Sequence, residues 1–251
     1  MAEQCLFDAQ PAVSGYTKCA YYPGNSATDV NGSSPVDRMH EGALKASAAS
    51  LDGICTAVSG VSVEPIDLLR AQEYALLAAL LARAQSRDVL SRLAALRGDD
   101  SPFGRAHRAL AEAARQADPE TLGREFFDLF IGVGRGELLP YASYYLTGFL
   151  NERPLALLRE DLEAIGVERD PDNPEPEDHI AIICEVMAGL AAGEFAADPA
   201  IQRRFFERHL KPWAARFFAD LETAASARFY RAVGAFGRLL IEIDAEAFTM
   251  E

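Results

Sequence analysis

Lysine is nearly missing from this 251-residue chain. Lys18, Lys45 and Lys211 are the only three, and arginine supplies the rest of the 24 basic residues. Against these stand 38 acidic residues, for a formal net charge of −14. So sparse a positive surface argues against nucleic acid as a partner, because phosphate binding needs concentrated basic charge. The acidity fits two readings: it keeps the chain soluble, or it draws in a cationic peptide through complementary fields. Scarce lysine beside abundant alanine points to a GC-rich, bacterial coding sequence. Cysteine is also sparse. Cys5, Cys19, Cys55 and Cys184 form no C-x-x-C pair and have no histidine beside them at a zinc-like spacing, so reduced thiols are expected. Long apolar runs are lacking. The longest, Tyr74 to Ala82, stops at Arg83, short of the roughly 20 residues that a membrane-spanning helix needs. Met1 to Gln10 has neither the basic start nor the apolar run of a secretory signal. The expectation is a cytoplasmic protein with no membrane insertion.

What is present divides in two. Residues 1–60 contain stretches such as YYPGNSATDVNGSSPVD, with no helical or strand period and too little apolar surface to offset ordering entropy. They are expected to form a low-order tail, with at most a short helix near Glu41 to Ala49; an alternative is that translation begins at Met39. From Pro65 onward helix follows helix. PIDLLRAQEYALLAALLARA carries Leu69, Leu76, Leu77, Leu80 and Leu81 at helical spacing behind a first-turn proline. Leu122, Phe126, Leu129 and Phe130 form one stripe of a helix opened by Asp118-Pro119. Further helices are expected near 141–150, 154–165, 176–193, 198–209, 212–224 and 226–245. The fold class is all-α, a single bundle-like domain of about nine to ten helices over residues 61–251. The three-proline link GVERDPDNPEPED, residues 166–178, is its hinge.

Three groups of residues could carry chemistry. Gly132, Gly134 and Gly136 lie among helices without the strand that a nucleotide fingerprint needs, so a helix stop and tight turn are expected. The cluster Glu175, Pro176, Glu177, Asp178 and His179 gathers three carboxylates and an imidazole at a helix mouth. Pro176 can open that helix, and Glu175 can reach His179 across one turn. Capping of the helix, an acid–base pair of Asp178 and His179, and charge-assisted capture of an arginine-bearing peptide all remain open. The catalytic reading lacks any nucleophile or metal signature. Tyr141, Tyr144, Tyr145 and Phe149 suit a binding surface and a core equally.

Taken in order, FFDLFIGVGRGELLPYASYY, EPEDHIAIICEVMAGL and FFERHLKPWAARFFADLETAASARFYRAVGAFGRLLIEI resemble the TorD/DmsD/NarJ family of redox-enzyme maturation chaperones over about residues 65–248. The E-P-x-D-H-I element (Glu175 to Ile180) and the H-L-x-P-W element (His209, Leu210, Pro212, Trp213) carry the match. The resemblance implies an all-helical chaperone, not an enzyme, with no metal and no cofactor. It implies binding of the leader peptide, often of twin-arginine type, or the apo form of a molybdoenzyme catalytic subunit. Peptide contacts would fall on Glu175, Pro176, Asp178 and His179, with Pro140, Tyr141, Ser143 and Tyr144 as the opposite wall. On this reading Asp178→Asn with His179→Ala weakens leader binding and leaves helical content and melting nearly unchanged. Monomers and exchanged dimers are both compatible with the hinge. Alternatives are an assembly factor gripping a folded subunit and a small helical hydrolase using Asp178 and His179. The tail has no counterpart in the family.

Overall fold

The computed structural model describes residues 63–169, 173–195 and 198–250, together with the backbone of 16–18. Apart from those three residues, the tail, its helix near 41–49 and Met39 lie outside the described part. Ten α-helices follow in order: α1 Pro65–Ala82, α2 Arg87–Ala94, α3 Pro102–Gln116, α4 Pro119–Phe126, α5 Ala142–Thr147, α6 Arg153–Ala164, α7 Ile180–Ala191, α8 Pro199–His209, α9 Ala214–Thr223 and α10 Phe229–Met250. The expected all-α class is what is found. Among the described residues the one strand pairing is short: β1 Tyr16–Lys18 runs antiparallel to β2 Val167–Arg169. Among the described residues no helix is long and apolar enough to cross a membrane.

The helices begin where local chemistry tells them to. Ser101 accepts the Gly104 amide at 3.0 Å ahead of Pro102. Asp118 accepts the amides of Glu120 and Thr121 ahead of Pro119, and Asp198 that of Ala200 ahead of Pro199. A short polar side chain satisfies otherwise unpaired N–H groups, and proline then occupies a turn that needs no donor. Helix α4 ends in a single π-turn, Phe127–Ile131, closed by a 2.7 Å bond from the Gly132 amide to the Phe127 carbonyl. Gly132 has φ +62, and a Cβ there would meet the Arg135 carbonyl oxygen at 2.1 Å. The glycine triplet is therefore a helix stop and turn, as its surroundings imply.

Helix α7 is buried on nearly every face, the mark of a central element. It packs chiefly on α1, while α10 packs on α9 and α3. Trp213, Phe206, Phe217, Phe218, Phe236 and Tyr230 fill the core between them. Gly237 permits the close approach of α10 to α9, since a Cβ would lie 2.3 Å from the Phe218 ring. Asp244 of α10 is fully buried, yet it accepts from Arg70 Nε and Nη2 at 2.9 and 2.8 Å and from the Tyr74 hydroxyl at 2.7 Å. A buried carboxylate so completely bonded holds α1 against α10 in one register. Of the leucines expected to form the α1 stripe, Leu76, Leu77, Leu80 and Leu81 are buried and Leu69 is exposed.

Candidate functional site

The E-P-x-D-H segment enters α7 four residues later than its proline suggests. Helix α7 starts at Ile180, with His179 as its N-cap. Residues 175–178 form a turn in front of it. The cause is a bridge to the loop before α5. The Ala142 amide donates to the Asp178 carbonyl at 3.0 Å, and the Ile180 amide to the Pro140 carbonyl at 2.9 Å, leaving Tyr141 and His179 opposed. Backbone pairing across the loop outweighs one more helical turn at a proline.

The side chains divide by direction. Asp178 is 1% exposed and its Oδ2 accepts the Ser143 amide at 2.8 Å. It thereby caps α5, whose own N-cap residue Tyr141 has no side-chain bond to give. The Asp178 Oδ1 atom is buried without a partner. Glu177, also buried, takes the Arg159 guanidinium in a fork at 3.0 and 2.7 Å. Burial pushes the Glu177 carboxyl upward, but the bonds from Arg159 outweigh it and hold its pKa below the ordinary value. His179 Nδ1 accepts the Ala181 amide at 3.1 Å. Burial lowers its pKa to about 4, with Glu175 opposing, so the ring is neutral and carries its proton on Nε2. Asp178 and His179 each hold a backbone amide, an arrangement unlike the acid–base pair of the hydrolase reading.

Glu175 does not reach His179 along a helical turn. It is exposed, and its Oε2 accepts the Tyr141 hydroxyl at 2.6 Å. The rings of Tyr141 and His179 meet edge to face at 5.2 Å between centroids. These three residues line a cavity of about 210 Å³ with Phe126, Phe130 and Ile131 from the end of α4 and Ile182 and Glu185 from α7. Of the eight candidate residues, Tyr141, Glu175 and His179 face this space. Asp178, Ser143 and Pro140 are buried behind it, and Pro176 is half-buried with its carbonyl taking the His179 amide. Tyr144 points elsewhere, accepting from Arg135 at 3.2 Å beneath a cation–π contact. The even choice between core and surface for the tyrosines thus has a mixed answer. Tyr145 is core, bonded to Asp220, while Phe149 is 69% exposed.

Glu185 went unnoticed in the sequence, although a signal was there. It is the one charged residue in the twelve of α7. Burial, aided by Glu194, raises its carboxyl to about 7. The H-L-x-P-W element has an architectural place. His209 Nε2 lies 2.6 Å from Asp161 on α6, and the Trp213 indole donates to the His209 carbonyl at 2.6 Å. A larger cleft of about 770 Å³ lies by α3, α4 and residues 225–229. There Glu125 is engaged in receiving the Arg228 and Tyr230 amides at the start of α10.

Residues 96–219 match the family model described as nitrate reductase delta subunit. The chain is 31% identical over 149 residues to a "Chaperone protein TorD" of Shewanella loihica, covering 55% of this chain and 67% of that one. It is 35% identical over 151 residues to the protein of the same name from Vibrio cholerae serotype O1, covering 55% and 68%. A solved structure of a redox enzyme maturation protein from Archaeoglobus fulgidus aligns over 76% of this chain and 99% of its own, at 19% identity and a TM-score of 0.48. With two thirds of the TorD chaperones covered at this identity, the chain belongs to the TorD/DmsD/NarJ family of redox-enzyme maturation chaperones, which are not enzymes.

Proposed function

We propose that this chaperone works in the cytoplasm and binds the N-terminal leader, of twin-arginine type, of a molybdopterin oxidoreductase catalytic subunit, holding it until the cofactor is inserted. One observation carries the reading. The cavity beside the E-P-x-D-H turn has apolar and aromatic walls, contains Glu175 and Glu185, and has no lysine or arginine among its described lining residues. Such a leader has a basic start and an apolar middle. Its basic residues meet carboxylates and its apolar segment meets Phe126, Phe130 and the exposed Ile131. Ordering a flexible segment costs about 2–5 kcal/mol of the gross interaction. Moderate affinity follows, which suits a chaperone that must let go. Tyr141, Glu175 and His179 are the contacts in this proposal; Asp178, Ser143 and Pro140 hold them in place from behind.

The test is calorimetric titration of the full chain with a synthetic peptide bearing two adjacent arginines followed by a leucine- and alanine-rich segment. Saturable binding is expected, weakening several-fold when salt is raised from about 0.05 to 0.5 M, because exposed charge pairs are screened. Binding no tighter than that of a scrambled peptide with glutamines for arginines overturns the proposal. Capture of a folded subunit that lacks its first 40 or so residues would instead favour an assembly factor.

A further inference from the structure

We propose that the 210 Å³ cavity is a subsite for one arginine residue of the bound polypeptide, with Glu185 receiving its guanidinium and His179 donating to its backbone carbonyl. The choice of a polypeptide ligand rests on the function proposed above. The subsite itself stands on the following geometry.

Glu185 is a carboxylate without a cation. It is half-buried on α7 among apolar neighbours, and among the described residues it has no hydrogen-bond or ion-pair partner. The charge that acts on it most is another carboxylate, Glu194. A carboxylate held this way is costly unless a positive group arrives. Ala82, the last residue of α1, closes the cavity on the side of that helix's C-terminus.

His179 supplies an independent observation. The side chain is more than nine-tenths buried, and its ring lines the cavity. With Nδ1 occupied by the Ala181 amide, the Nε2–H has no acceptor among the described residues. A lone cation would not satisfy that donor, and a metal ion would be repelled by it. An amino-acid residue with a cationic side chain satisfies both groups, its carbonyl taking the N–H and its head taking Glu185.

Size and walls favour arginine. The volume falls below the ~300–1,000 Å³ of pockets for drug-sized molecules, so a single side chain is the matching guest. Phe126 and Phe130 give the walls an aromatic character that suits a planar, weakly hydrated guanidinium and its methylene stem.

Two titrations test the subsite and the function separately. In the first, the isotopically labelled full chain is titrated with N-acetyl-arginine N-methylamide and, in parallel, with the neutral isostere N-acetyl-citrulline N-methylamide, following amide shifts by NMR. Saturable shifts centred on residues 179–186 are expected for arginine, with at least tenfold weaker binding of citrulline and loss of the preference in Glu185→Gln. Equal binding of the two amides, or a preference that survives Glu185→Gln, overturns the subsite. The variant removes an unpaired charge, so it should melt no lower than the parent at pH 7; unfolding would show Glu185 to be a structural partner and also overturns it. In the second, the two-arginine peptide is titrated against both proteins. A loss of about tenfold in Glu185→Gln supports the subsite. Equal affinity overturns the subsite and leaves the leader-binding proposal standing. Glu185-dependent binding of the arginine amide with no binding of the peptide does the reverse.

Discussion

At the scale of single residues, two carboxylates seven positions apart, Asp178 and Glu185, behave oppositely. Asp178 reads in the sequence as a peptide contact, but it faces inward and caps α5 through the Ser143 amide. Asp178→Ala is therefore expected to destabilise the fold by about 1 kcal/mol, the lost cap being partly offset by relief of the unpartnered Oδ1. Urea unfolding measures this. The expectation that changing Asp178 and His179 together leaves melting unaffected is thus corrected, since both hold backbone amides. Glu185 has the reverse character. With its pKa raised to about 7, the native state binds its proton more tightly than the unfolded chain does. Stability then falls as pH rises from near the ordinary glutamate value toward 7. Melting temperatures taken from pH 5 to 8 should decline more steeply in the parent than in Glu185→Gln, and parallel profiles would contradict the assignment.

At the scale of elements, the entry to α7 shows why local grammar can misplace a helix start. Pro176 and the acidic residues after it fit a first turn, yet the bridge between residues 140–142 and 178–180 claims the backbone for itself. Glu177 then secures the turn to α6 through Arg159. Its lowered pKa gives a sign opposite to that of Glu185. The contribution is present above the unfolded pKa and is lost as pH falls through the folded one. Glu177→Gln should lower stability at pH 7 by about 1 kcal/mol, discounted for the half-exposed Arg159. The deficit should shrink progressively when melts are repeated at pH values below the ordinary glutamate range.

At the scale of the whole molecule, the described core cluster begins at Tyr74 and ends at Phe248. A chain starting at Val63 is accordingly expected to fold cooperatively, with helical circular dichroism per described residue and melting close to the parent. A non-cooperative melt would place part of the core before residue 63 and refute the domain boundary. The same core explains why the H-L-x-P-W element marks the family without touching the cavity. His209 and Trp213 tie α6, α8 and α9 together, so their order in the sequence reports architecture and not ligand chemistry.

Helix identity, the stop at Gly132 and the all-α class were legible because capping residues and the 3.6-residue apolar period act within a few positions of one another. The neighbourhood of Glu175 and His179 could be found for the same reason, as a short motif. The inward turn of Asp178, the pairing of Tyr141 with Glu175 across 34 positions and the convergence of Glu185 on Phe126 and Phe130 were settled only by tertiary packing. Which way a polar side chain points depends on what another helix brings within about 3 Å of it, and no local pattern in the chain encodes that distance.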